Sequence, residues 1–474
     1  MKTRALSLPL IAAVVGAFAL VICAAPKAKA DPKAGAIRPA AAAAAWADGT
    51  IADKAKRLFG ERRGPDGTEG KHPLDKVDFA DDPEMLRILD TSLDGKVSEQ
   101  EFVEFYQRSS KRYFRRNVAY AENKAENRQS FNISVPIADL SLDTDCFQRD
   151  YDAKVQRAIK KAPALPVILF FHGGGLNMWE KDGRINFLRR VVGEELDGKF
   201  VLASVGYRTT KFATWPAQIH DVKSSIRYLK KNAGKFRIDP NRIGVSGFSA
   251  GAGLCESLAT SGHLVKTLEG DVGVKYDPKN GIDSIPACVL PFSGGGGGSI
   301  FDKSINNPQA IERLLKTAFE EDNTTNLDDV LSKRMGGRPY IRTKENGYSE
   351  HPGSSLYGSG YDKAHYPMIS TSPRYVIDFM DSPAPPILNI AGGKDQYGTI
   401  TGAESFVKKC REHKCAANII RVMNMPHDKD YLFLPEWKES HREAIQNIRH
   451  FLMKHLYDED REIKDLTVTS PAEK

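Results

Sequence analysis

The chain has 474 residues, 41% hydrophobic and 27% charged, enough apolar material for one large domain with a smaller companion. The formal charge is +7, and removing Lys2, Arg4, Lys27 and Lys29 with the first 30 residues leaves +3. That balance is too mild for a nucleic-acid binder, and no stripe of basic and aromatic residues supports one.

Residues 1–30, "MKTRALSLPLIAAVVGAFALVICAAPKAKA", combine a basic start, an uncharged stretch and a small-residue end at Ala28-Lys29-Ala30. This is the pattern of a cleaved secretory signal, which implies a secreted or periplasmic protein. The uncharged stretch is also long enough to span a bilayer, so an uncleaved anchor is the alternative. Residues 31–56 are alanine-rich and read as a linker, and residues 57–118 as a small polar module.

Within that module, "DTSLDGKVSEQE" places Asp90, Ser92, Asp94, Lys96, Ser98 and Glu101 at positions 1, 3, 5, 7, 9 and 12 of a loop, with Gly95 at position 6. This matches an EF-hand calcium loop, in which alternate oxygens surround a tight turn and a distant glutamate closes the shell. Lys96 would contribute its carbonyl, and Ser92 in place of an acid lowers the ligand charge. The alternative is a loop of that shape that holds no ion. EF-hands normally pair, yet "GPDGTEGKHPLDKVDF" upstream is too irregular to read as a second functional loop. A structural rather than signalling ion is expected.

From residue 130 to 460 short apolar runs alternate with longer amphipathic ones. The runs are "LPVILFF", "KFVLASV", "RIGVSGF", "ACVLPFS", "PPILNIA" and "NIIRVM", separated by helical patterns such as "AQIHDVKSSIRYLKKNAGKF". Such alternation predicts an α/β fold, a mostly parallel sheet with helices on both faces and sites at the carboxyl ends of its strands. Residues 294–370 interrupt the pattern as a lid, a pocket wall or surface decoration, and residues 461–474 read as a polar tail. Of the six cysteines, Cys410 and Cys415 flank "REHK" and could be bridged, though on a continuous helix they would diverge and could not. Without further cysteine or histidine neighbours they do not read as metal ligands.

Four features follow one another at strand ends. "FFHGGGLN" brings His172 and three glycines, whose N–H groups can face a cavity; Gly174 and Gly175, with Ala250, are the candidate oxyanion donors. "GFSAG" is a G-x-S-x-G elbow with Ser249 as candidate nucleophile. "PPILNIAGGKDQYG" and "NIIRVMNMPHDKD" then supply Asp395 and His427 as orienting acid and base. Taken singly, a serine between glycines, an aspartate after a strand and a loop histidine are each ordinary. Their shared order is not. Asp428 and Asp430 are rival acids on the histidine's own loop, while His172 and His220 are out of order as bases. Trp179 and Trp215 are either sugar-stacking residues or core aromatics.

The stretches "VILFFHGGG", "YRTTKFATWPAQIHDVKSSIRYLKKNAGKFRIDPNRIGVSGFSAGAG", "SPRYVIDFMDSPAPPILNIAGGKDQYG" and "MPHDKDYLF" resemble α/β-hydrolase esterases of the acetyl esterase, acetylxylan esterase and hormone-sensitive-lipase-like group. The resemblance spans residues 162–456. It implies metal-independent hydrolysis of short acyl esters or acetylated carbohydrate through an acyl-enzyme, with Ser249, Asp395 and His427 as the triad. It also implies structural roles for Asp221 and the "IDPNRI" turn. Pro426-His427-Asp428 stands where that group has a glycine-histidine pair, and "SAGAG" stands for the frequent "SAGG". The rival readings are a peptidase of the same fold and a calcium-dependent adhesion or scaffold protein with an idle hydrolase domain.

Overall fold

The computed structural model describes residues 50–62, 73–80, 82–92, 94–122, 127–140, 151–176, 179–209, 212–213, 216–262, 268–295, 373, 377, 380, 383–395, 399–434, 437 and 439–469. The signal segment, most of the linker, Trp215 and nearly all of the 294–370 insertion lie outside them.

The first helix, α1 (Ile51–Arg62), begins inside the segment expected to be a linker. The cause is local. Thr50 and Asp53 cap each other, with the Thr50 N–H donating to Asp53 at 2.9 Å and the Asp53 N–H to the Thr50 hydroxyl at 3.2 Å. Helix α2 (Pro83–Leu89) starts on Asp82, whose carboxylate accepts from the Met85 N–H, and on a proline at its first turn. Helix α3 (Glu99–Ser109) starts on a complete capping box between Ser98 and Glu101. The three helices bury a core of their own that includes Phe59, Phe79, Leu89, Phe102 and Phe105.

The sheet begins with β1 (Arg112–Ala119) and β2 (Ser130–Pro136), two strands the sequence pattern does not advertise. β1 lies within the 57–118 stretch but pairs antiparallel with β2, so the helical module ends at Ser109. Its sequence, "RYFRRNVA", looks polar because Arg112 is fully buried, donating to the Ser134 hydroxyl and to the carbonyls of Ser134 and Phe200. After α4 (Tyr151–Ile159) come β3 (Leu165–Phe171), α5 (Arg184–Val192), β4 (Val201–Val205) and α6 (Ala217–Lys231). These lead to β5 (Ile238–Phe248), α7 (Ala250–Thr260) and β6 (Cys288–Phe292). The chain closes with β7 (Ile387–Gly392), α8 (Thr399–Glu412), β8 (Ala417–Val422), α9 (Arg442–Tyr457) and β9 (Leu466–Val468).

The strand order is β1-β2-β4-β3-β5-β6-β7-β8-β9, with β2 antiparallel to both neighbours and every later pairing parallel. This is the α/β-hydrolase fold. β9 lies within the stretch read as a polar tail, and its three residues extend the sheet beside β8. So short a strand in a charged stretch leaves no apolar run to read.

Alternation along the strands divides the core. Val167, Leu169 and Phe171 of β3 join the layer under α6, α7 and α8, while Ile168 and Phe170 join the layer under α5 and α9. Both layers are apolar because both faces are covered, which is why the strands read as continuous apolar runs. Asp221 on α6 is fully buried and accepts from the Arg208 backbone and guanidinium and from Gln129. This is the structural role the resemblance implied. Cys410 and Cys415 are buried free thiols, the latter just past the end of α8.

Candidate active site

Four strand ends meet at the carboxyl edge of the sheet. Ser249 follows β5 directly and caps α7 with φ 55° and ψ −118°, a conformation strained for any residue with a side chain. Its neighbours must therefore be bare. A Cβ on Gly251 would stand 2.0 Å from the Phe171 carbonyl oxygen and 2.6 Å from that of His172, and one on Gly247 would stand 2.3 Å from the Gly251 carbonyl oxygen. Strand, elbow and glycine loop share space that only hydrogen can occupy.

Gly174 and Gly175 take φ of +92° and +57°, left-handed backbone that glycine adopts without penalty. Gly173 lies against Phe248 and Trp179, where a Cβ would come within about 3.0 Å of the Phe248 ring and carbonyl oxygen. The candidate donors Gly174, Gly175 and Ala250 therefore lie on two segments packed against each other. His172 holds the loop from beneath. Its ring stacks on Tyr207 at 4.1 Å, and the Tyr207 hydroxyl donates to the His172 carbonyl at 2.7 Å. Nδ1 lies 2.8 Å from the Gly173 carbonyl, which can only accept, so Nδ1 carries the proton. Burial pushes the His172 pKa down to about 3, keeping the ring neutral. It is a brace, not a base.

Asp395 and His427 are brought together by a second glycine-only contact. A Cβ on Gly392 would meet the Met425 carbonyl oxygen at 2.3 Å, and one on Gly393 that of Met423 at 2.4 Å. The turns after β7 and β8 are thus pressed together, joined by Gly393 N–H to Val422 and Lys394 N–H to Met425. The result is a His427 Nδ1 to Asp395 Oδ2 hydrogen bond of 2.7 Å, with both Asp395 carboxylate oxygens shielded from solvent. A carboxylate accepts, so Nδ1 carries the hydrogen and Nε2 is the basic nitrogen, the tautomer a general base requires. The His427 ring lies 4.8 Å from that of Phe248, the residue before Ser249.

The rival carboxylates are engaged elsewhere. Asp428 accepts from the Asp430 N–H, and Asp430 pairs with Lys429 and with Arg190 at 2.9 Å. His220 packs against Gly270. Sequence inspection missed Thr399. Its hydroxyl, four residues after Asp395, donates to Oδ2 at 2.6 Å and fixes the carboxylate's orientation. A hydroxyl at the start of the helix after an acid is the signal that could have found it.

Trp179 is no core residue. It is 47% exposed at φ +66°, stacks on Phe248 at 6.5 Å and lies under the Arg184 guanidinium at 5.5 Å. The residues after it are gripped by the helical module. Arg87 on α2 pairs with Glu180 at 2.7 Å and Asp182 at 2.9 Å, and buried Lys181 pairs with Glu84 at 3.3 Å. Gly183 allows α2 to approach so closely that a Cβ would lie 2.5 Å from the Arg87 carbonyl oxygen. The module thus builds one wall beside the elbow.

The loop of residues 90–101 joins α2 to α3. Buried Asp90 accepts from the Asp94 and Gly95 N–H groups, Gly95 has φ +83°, and Glu101 accepts from Thr91, Ser92 and Ser98, tying the two ends together. Val97 exchanges backbone hydrogen bonds of 2.7 and 2.8 Å with Leu74 of the upstream segment. Among the described residues no three His, Cys, Asp or Glu side chains are grouped closely enough to hold a metal ion. The donors that would do so are hard oxygens, the chemistry calcium takes.

Residues 155–409 match the BD-FAE family model, just over half of the chain. The chain belongs to the BD-FAE family. Among curated proteins, this BD-FAE member is 33% identical over 107 residues to neutral cholesterol ester hydrolase 1 of Rattus norvegicus, covering 22% of this chain and 25% of that one. It is 32% identical over 95 residues to carboxylesterase NlhH of Mycobacterium tuberculosis, covering 20% and 29%. The chain thus spans little more than a quarter of the length of the curated relatives it matches. A carbohydrate esterase from gut microbiota superposes at a TM-score of 0.45 with 20% identity, over 72% of this chain and 98% of that one. An esterase of Thermogutta terrifontis does so at 0.43 with 14% identity, over 73% and 92%.

The glycine contact behind the acid–base pair gives a direct test. Gly393→Ala is expected to destabilise this BD-FAE protein by about 1–3 kcal/mol, because the obstructing atom is backbone and cannot swing aside. Urea unfolding read at its midpoint measures it, and an unchanged midpoint would contradict the packing.

Proposed function

We propose that this chain is a serine carboxylic-ester hydrolase acting on short acyl esters, including acetyl groups on carbohydrate, and that it works outside the cytoplasm. The observation that carries the reading is the 2.7 Å His427–Asp395 bond, in the tautomer that makes Nε2 basic, beside a strained serine elbow. In this mechanism the Ser249 hydroxyl attacks the ester carbonyl carbon while its proton passes to His427 Nε2. The N–H groups of Gly174, Gly175 and Ala250 stabilise the oxyanion. The imidazolium, paired with Asp395, protonates the departing alcohol. Water then attacks the acyl-enzyme with His427 again as base, releasing the acid and freeing Ser249. The relatives named as carboxylesterase and cholesterol ester hydrolase support ester cleavage. The exposed face of Trp179 is a flat surface for a sugar or aryl ring beside the scissile bond.

Hydrolysis of p-nitrophenyl acetate tests the reading. Ser249→Ala is expected to lower kcat at least about 10³-fold, and Asp395→Asn about 10³–10⁴-fold with an unchanged melting temperature. Equal rates in wild type and Ser249→Ala would overturn the proposal. So would cleavage of a peptide anilide with no turnover of the ester.

The loop of residues 90–101 is proposed to hold one structural calcium ion through Asp90, Ser92, Asp94, the Lys96 carbonyl, Ser98 and Glu101. Support comes from the donor set, the left-handed Gly95 and the paired Val97. Calcium acetate is expected to raise the melting temperature of wild type and not of Glu101→Gln, with binding read independently by calorimetry. No heat of binding and no shift at about millimolar calcium, where extracellular modules fill, would contradict it.

A further inference from the structure

Where the helical module meets the sheet there is a buried cation that makes no hydrogen bond among the described residues. Arg189, in the last turn of α5, is 7% exposed, and its Nε, Nη1 and Nη2 make no hydrogen bond among the described residues. Arg189 is one of the residues lining a cavity of about 10 Å³, room for one water-sized particle. Ile88, Phe105 and Phe114 form the apolar side of that cavity and Asn132 and Asn186 the polar side. Lys181 also reaches it, but its ammonium is already paired with Asp182 and Glu84.

The surrounding charges deepen the imbalance. Arg112 and Arg108 repel Arg189, and the one attractive carboxylate, Asp197, is engaged by Arg112 at 3.2 Å. Burial and these neighbours push the Arg189 pKa down to about 9, which leaves it charged at neutral pH. A buried charge persists with a counter-charge or strong hydrogen bonds, and among the described residues Arg189 has no hydrogen bond and shares its attractive carboxylate, Asp197, with Arg112. Water could accept hydrogen bonds but would not neutralise the charge.

We propose that this cavity is an anion site that holds a single chloride ion against the Arg189 guanidinium, pinning the helical module to the hydrolase sheet. A monatomic ion is the anion that suits a space of one water-sized particle. The ion bridges elements of three origins: Ile88 and Phe105 from the module, Phe114 and Asn132 from the edge strands, and Asn186 with Arg189 from α5. The site is independent of the ester chemistry and of the calcium loop.

Thermal unfolding of the full chain in calcium-free buffer tests the proposal, comparing sodium chloride with sodium gluconate at about 0.15 M. Wild type is expected to melt about 2–4 °C higher in chloride, with a saturable dose dependence. Arg189→Met, of similar length and uncharged, is expected to show no such difference. Identical melting of wild type in the two salts, or a chloride increment retained in Arg189→Met, would overturn the proposal. If that variant does not fold, crystals of wild type grown in sodium bromide decide the matter. An anomalous peak beside the Arg189 guanidinium supports the site, and water alone there refutes it.

Discussion

The structure depends on two places where backbones touch through glycine alone. At one, Gly251 and Gly247 let the helix after Ser249 press on the ends of β3 and β5, with carbonyl oxygens where a methyl group would be. At the other, Gly392 and Gly393 let the turn after β7 rest on the turn after β8. The first contact sets the serine against the glycine loop, and the second sets the aspartate against the histidine. The geometry of the proposed catalytic site is a consequence of main-chain packing. Its side chains inherit positions fixed by residues with no side chain.

That dependence explains what was legible in the sequence. Continuous apolar runs read correctly as strands because every central strand is covered on both faces. Ser249, Asp395 and His427 could be singled out because each follows a strand and the glycines beside them punctuate the turns. The antiparallel edge was not legible. β1 carries Arg112, whose charge is absorbed by the Ser134 hydroxyl and main-chain carbonyls, so burial of a strand residue looks like surface polarity. β9 and the start of α1 were hidden by shortness and by an alanine-rich context. Thr399 and the Arg87 pairs were hidden for another reason: each matters only through a partner that folding brings near.

The helical module does more than precede the enzyme-like domain. Through Arg87, Glu84 and the close approach at Gly183 it clamps the segment after Trp179, and through Asn186 to the Ile88 carbonyl it clasps α5. Trp179 in turn covers Phe248, the residue between β5 and the serine. A loop with oxygen donors at one end of α2 and an aromatic wall at the other side of it are therefore parts of one packed unit.

The central claim is that folding makes one serine reactive among the many in this chain. A fluorophosphonate probe reports this directly, because it phosphonylates only activated hydroxyl groups and the modified residue is located by peptide mass spectrometry. The account predicts one adduct per chain, on Ser249, formed by native protein and absent after denaturation. No adduct, or an adduct on a different residue of the native protein, would contradict it.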